Sequence, residues 1–218
     1  MAKTVFHTAT SIDGFIADSD NSLEWLFTVP GSLPDEAGSE SGASESPMDE
    51  FGEFLADVGA ICMGSTTYEW VLDHEQALTH PEKWTYEPPT WVFTTRDLPA
   101  VPGADIRFVS GDVATVHAEM TAAAGERDRW IVGGGDLVGQ FFDAGMLDEI
   151  RASLAPVFLG GGAPLLPRRI LSDRLELIEA KAVGQFATLA YLVKSPGPVP
   201  AARSGRDGFL PRRRESLE

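Results

Sequence analysis

The chain has 218 residues, 43% of them hydrophobic, and 17 Lys and Arg stand against 33 Asp and Glu for a net charge of −16. That length and apolar content suit one α/β domain with a full core, and so acidic a chain repels phosphate backbones, which excludes general nucleic-acid binding. A single cysteine, Cys62, rules out an intrachain disulfide, and no apolar run approaches the ~20 residues of a membrane span.

The N-terminus enters a strand at once, Lys3 to Thr10, with no basic stretch and apolar helix of a signal peptide before it. A cytoplasmic protein is the expectation. The segment Ser11-Ile12-Asp13-Gly14-Phe15-Ile16-Ala17 follows, then a polar loop ending at Leu23-Glu24-Trp25-Leu26. Residues 31 to 46 hold Gly, Ser, Glu, Pro and Ala and little that can be buried, so a flexible insertion is expected there. From about Met48 to Asp57 the spacing of Phe51, Phe54 and Leu55 predicts an amphipathic helix, with Pro47 suited to its first turn.

Ala60 to Met63 is a short apolar strand that takes Cys62 into the core and runs into a helix start at Gly64-Ser65-Thr66-Thr67-Tyr68-Glu69-Trp70. Strands are expected at Thr90 to Thr94 and at Ile106 to Val109, and a helix capped by Asp112 continues to about Ala124. Trp130 to Val132 forms a strand that ends in Gly133-Gly134-Gly135 and a helix from Asp136 to Ala144. Glu149 to Val157 is a further strand, followed by Gly160-Gly161-Gly162, and Leu175 to Lys181 with Gln185 to Val193 form a closing antiparallel pair. Strands alternating with helices imply a mixed, mostly parallel sheet flanked by helices. The domain is expected to span 1–194, and the Pro- and Arg-rich residues 195–218 to be a flexible tail.

Three places suit an anion. Gly133 to Gly135 lie between strand and helix, where side chains cannot block a ligand and the helix presents backbone N–H groups; a plain tight turn explains the same residues. Thr66 and Thr67 after Gly64 suit a phosphate or a helix cap. Arg96 beside Thr94 and Thr95 suits a phosphate monoester, or is simply a surface arginine. In open α/β sheets ligands gather at the carboxyl ends of strands, where all three sites fall. The histidines His7, His74, His80 and His117 have no metal-ligand spacing, so no metal is expected.

These motifs, in this order, resemble the dihydrofolate reductase superfamily over about residues 3 to 193, especially its riboflavin-biosynthesis reductase branch. Ser11 to Ala17 resembles the loop that closes over the nicotinamide, Met63 to Glu69 the "M-G-R-x-T-[WY]-E" helix start, and Ile131 to Gly135 the "V-I-G-G-G" turn. Leu159-Gly160-Gly161-Gly162-Ala163-Pro164 is closer to the riboflavin branch. The resemblance implies a dihydrofolate reductase-like fold and NADPH, held by Ala17, Gly64, Thr66, Thr67, Thr94, Thr95, Arg96, Val132, Gly133, Gly134, Gly135, Asp136 and Leu137. Ser65 stands where the family often has Arg, which leaves the 2′-phosphate to Arg96 and hydroxyls. Trp25, Phe54, Gly161 and Gly162 would border the substrate, and Arg168-Arg169 would supply a basic group if that substrate is phosphorylated. Glu50, at the acid position of "[DE]-L-x-x-F", and Asp13 are the candidate proton donors. The implied activity is hydride transfer to a pterin-type or ribosylaminopyrimidine-type small molecule. An inactive NADPH-binding protein of the same fold is the alternative, and either is compatible with a homodimer and with no membrane partner.

Overall fold

A computed structural model describes residues 1–30 and 47–195. The insertion expected at 31–46 and nearly all of the expected tail, from 196 onward, lie outside the described residues. Along the chain run β1 (Thr4–Thr10), β2 (Phe15–Ala17), α1 (Glu24–Phe27), α2 (Pro47–Ala56), β3 (Val58–Gly64), α3 (Ser65–Glu75), β4 (Thr90–Phe93) and β5 (Ile106–Val109). Then come α4 (Val113–Ala124), β6 (Asp128–Gly133), α5 (Gly135–Asp143), β7 (Glu149–Leu154), β8 (Ala163–Pro164), β9 (Leu175–Val183) and β10 (Phe186–Val193).

The main sheet has the order β5-β4-β3-β6-β1-β7-β10-β9. Every neighbouring pair from β5 through β7 is parallel, and β10 is antiparallel to both β7 and β9. This is the mixed, mostly parallel sheet expected, with its closing antiparallel pair. Parallel strands buried on both faces read as nearly continuous apolar runs, and all of β3 except its last residue is buried.

Alternation along each strand builds two cores. Phe6, Cys62, Trp91 and Ile131 pack on one face against Val116 and Met120 of α4 and Val138 and Phe141 of α5. On the other face Val5, Ile61, Met63, Val92 and Trp130 meet Phe54 of α2 and Tyr68 and Leu72 of α3. Cys62 is fully buried, and burial pushes its thiol well above the ordinary range, so it is an inert core residue. Asp112 caps α4 as expected, its carboxylate accepting from the Ala114 N–H at 3.0 Å.

Three of these elements have no counterpart in the sequence reading: α1, which is helical where a polar loop was expected, and β2 and β8. The first loop contains β2, which pairs antiparallel with β8 in a separate two-stranded sheet. That pairing fastens the first loop to the segment after the second glycine triplet, and both lie above the carboxyl ends of the parallel strands.

Candidate active site

β1 lies between β6 and β7, so the chain winds outward through β3, β4 and β5 before returning to β6 on the near side of β1. Such a reversal leaves a crevice at the strand ends. Here it holds a cavity of about 710 Å³, bordered by β1, β6, α2, α3, the β2–β8 flap and the turn between β9 and β10.

Two helices begin at this cavity. α3 has Gly64 as its N-cap and α5 has Gly134, and neither has a side-chain cap. Their first turns therefore keep backbone N–H groups, with the positive end of the helix dipole, toward the cavity. Gly134 has φ +90°, which strains any residue with a Cβ. Thr66 and Thr67 do not cap α3. They stand in its first turn and line the cavity, so the capping explanation of these hydroxyls falls away. Val132, Gly133, Gly134, Gly135, Asp136, Ala17 and Glu50 line it as well.

Other expected residues are not at the wall. Trp25 is buried under the first loop with Val29, Ala155 and Phe186, and its Nε1 has no partner, so it supports the loop and does not border the cavity. Phe54 is a layer behind, with its ring edge-on to His7 at 4.6 Å. Leu137 is buried in the core. Gly161 and Gly162 lie outside the lining; a Cβ on Gly162 would run into the Ala17 carbonyl oxygen, so that glycine serves the close approach of the two flap segments. Gly64 and the turn of half-buried Thr94 with exposed Thr95 and Arg96 adjoin the α3 start without lining the cavity. The Arg96 guanidinium is held as a fork by both carboxylate oxygens of Glu69, at 2.9 and 2.6 Å.

The two candidate acids differ sharply. Asp13 accepts from Ser11 Oγ at 2.6 Å, from the Gly160 N–H at 2.7 Å and from the Leu159 N–H at 3.1 Å. The Ser11 hydroxyl, with these backbone donors, holds its carboxyl below the usual carboxylate range. A carboxylate so stabilised is an anchor that ties the first loop to the second glycine triplet, and a poor proton donor. Glu50 does line the cavity, its side chain is 15% exposed, and Lys181 Nζ lies 3.1 Å from it.

Sequence reasoning missed His7, Trp70, His74, Tyr86, Trp130, Ser153 and Thr188, all of which line the cavity. Part of this was readable: Thr66, Thr67, Trp70, Val71 and His74 recur at helical spacing on one side of α3. His7 is 7% exposed, and its Nδ1 has no hydrogen-bond partner. Burial, and then the nearby Arg151 charge, lower its pKa to about 4, so the ring is neutral near pH 7. Beside it is Glu149, which is completely buried. Burial alone would raise that carboxyl, but hydrogen bonds from Lys3 at 2.6 Å and Arg151 at 2.5 Å hold it below the ordinary range. Among the described residues no group of three or more His, Cys, Asp or Glu could hold a metal, and no helix is long and apolar enough to cross a membrane.

With this geometry in hand, comparison with known proteins identifies the family. The uncharacterized protein YwjB of Bacillus subtilis (strain 168) is 28% identical over 190 residues, covering 87% of this chain and 97% of its own. A crystal structure from Shewanella sp. PV-4, of a protein assigned by name to riboflavin biosynthesis, superposes with a TM-score of 0.68 at 27% identity, over 89% of this chain and all of that one. A dihydrofolate reductase from Enterococcus faecalis, complexed with NADP(H), shares the fold at a TM-score of 0.53 and 14% identity, over 88% and 97% of the two chains. The family model described as the RibD C-terminal domain matches residues 67–189, more than half of the chain. The fold is thus dihydrofolate reductase-like, and the chain belongs to the RibD C-terminal domain family of reductase-like proteins.

Proposed function

We propose that this protein is an NADPH-dependent reductase that delivers hydride to an electron-poor heterocycle of pterin or ribosylaminopyrimidine type. The observation that carries the reading is one of position. The two glycine-capped helix starts of α3 and α5 open into the same cavity as His7 and Glu50. Backbone donors for an anion and groups for a heterocycle thereby face a single space.

The residues present fit a dinucleotide. Gly133, Gly134 and Gly135 with the α5 start would hold the pyrophosphate, Thr66 and Thr67 would hydrogen-bond its oxygens, and Ala17 with Val132 would border the nicotinamide. Gly64, Thr94, Thr95 and Arg96 extend this wall toward the adenosine half. When bound, NADPH supplies the hydride, and the protein needs no nucleophile of its own. The chain supplies position and shelter from water. Asp13 keeps the β2–β8 flap in place by fixing the first loop to Gly160. Of the two candidate acids, Glu50 is the one that lines the cavity, so in this reading it delivers the proton to the substrate nitrogen, with Lys181 setting its orientation.

That same Lys181 contact favours the second reading, a protein that binds NADPH without turning it over, because it engages Glu50 in an ion pair. A screen of NADPH oxidation with dihydrofolate, a dihydropterin and the ribosylaminopyrimidine of riboflavin synthesis separates the two. Consumption of NADPH with any of the three is expected. Saturable NADPH binding with none consumed would establish the inactive binder instead.

A further inference from the structure

The distribution of charge around the cavity is unusual for a site that meets a phosphorylated sugar. Among the described residues that line it there is neither Lys nor Arg, while Glu50, Glu75 and Asp136 are all present. Arg168 and Lys181, which neighbour lining residues, are already paired. Arg168 lies flat on α5, where a Cβ on Gly139 would meet its guanidinium, and it donates to Asp143 at 2.8 Å and Asp136 at 3.0 Å. Lys181 is 3.1 Å from Glu50 and 3.7 Å from Glu179.

What the wall offers is flat apolar surface. At its exposed margin the rings of Phe27 and His74 stack at 4.9 Å with an interplanar angle of 3°, and Trp70 continues the stack from His74 at 4.6 Å. Deeper, Trp130 is flanked edge-on by Phe51 at 5.3 Å and Tyr86 at 5.7 Å. The polar groups at this depth are neutral: the His7 imidazole, and the Ser153 and Thr188 hydroxyls, which are 3.3 Å apart. A phosphate placed here would lose its water, find no cation among the described lining residues and meet Glu50 and Glu75. Burying a charge in that way is costly. A planar, uncharged or cationic ring would instead gain stacking on the aromatic wall and hydrogen bonds from the neutral groups.

We propose that the substrate is an unphosphorylated, uncharged or cationic aromatic heterocycle, and that the acidic aromatic wall rejects phosphorylated relatives of it. This rests on the reductase reading for its role but concerns ligand binding, so the two fail separately. Affinities would be measured on the full chain by quenching of tryptophan fluorescence, with and without NADPH. The probes are two matched pairs: 5-amino-6-ribosylaminouracil with its 5′-phosphate, and riboflavin with its 5′-phosphate. In at least one pair the unphosphorylated member should bind tighter by about tenfold or more, with no pair reversed. Glu75→Arg, on the exposed margin, should shrink that ratio by roughly tenfold by supplying a cation. Tighter binding of the phosphorylated member of either pair, a preference below about tenfold in both pairs, or no saturable binding of any of the four probes would overturn the proposal. A flat NADPH titration alongside a preserved preference for the unphosphorylated probes would sink the reductase reading and leave this one standing.

Discussion

At the scale of single residues, the structure separates two carboxylates that sequence could only offer side by side. Asp13 and Glu50 both belong to segments expected near the substrate, but Asp13 is saturated by three donors and Glu50 faces the cavity. Their isosteric amides should therefore behave differently. Glu50→Gln removes the only one of these two acids that lines the cavity, and it should lower the single-turnover hydride-transfer rate by about ten- to a hundredfold or more and flatten its pH profile. Asp13→Asn should instead weaken substrate and cofactor retention and leave the shape of the profile unchanged, because the loop loses an anchor and the reaction loses no proton. Rapid-mixing rates from pH 5 to 9 check this, and a flattened profile in Asp13→Asn with an intact one in Glu50→Gln would reverse the assignment. Arg96 teaches a related lesson. Its place beside Thr94 and Thr95 was visible in the sequence, whereas its fork to Glu69, 27 positions earlier, was not. Any hold on a 2′-phosphate must compete with that pair.

At the scale of elements, the central strands of the main sheet were legible because they are apolar runs bounded by turn residues. β5 agrees at both ends, and β3 and β6 prove only a few residues longer than the pattern suggested. The β2–β8 pair was not legible, since β8 has two residues, one of them a proline, and its partner is about 150 positions away. Short strands of that kind depend on tertiary approach and carry no period of their own. The first of the long strands also carries a testable liability. His7 on β1 is buried and neutral, with its pKa lowered to about 4 from the ordinary 6.5. Because the folded protein binds that proton less readily than the unfolded chain, the stability due to neutral His7 is complete above about pH 6.5. It is lost as pH falls from there toward about 4, and changes little further below. The loss is on the order of 3 kcal/mol. His117, whose pKa burial also lowers, contributes in the same direction, so the quantity to measure is a difference. Denaturant unfolding of the wild type and of His7→Gln should show a shallower decline in the variant between pH 6.5 and 4. Parallel declines would mean that His7 is protonated without penalty.

At the scale of the whole molecule, strand order places the pieces. The outward and returning path around β1 brings the α3 start, the α5 start and the flap to one end of the sheet, although they are spread from residue 11 to residue 164. The glycine and threonine motifs were readable because they obey local rules of backbone and helix termini. The aromatic wall was not, since Phe27, Trp70, Tyr86 and Trp130 look like ordinary core residues until the fold sets them around one space. The central claim is that this space receives NADPH across Gly133 to Gly135. Its most direct test is calorimetric titration of NADPH into the wild type, Gly134→Val and Gly133→Ala, with circular dichroism and thermal unfolding to show that each variant is folded. Saturable binding to the wild type is expected, and a loss of about a hundredfold in a folded Gly134→Val, where a branched side chain enters the turn at φ +90°. A smaller loss is expected in Gly133→Ala, where the φ is ordinary and the new Cβ would press on Thr67 Oγ1 at 3.0 Å. No binding to the wild type, or equal affinity in the wild type and both folded variants, would contradict that claim.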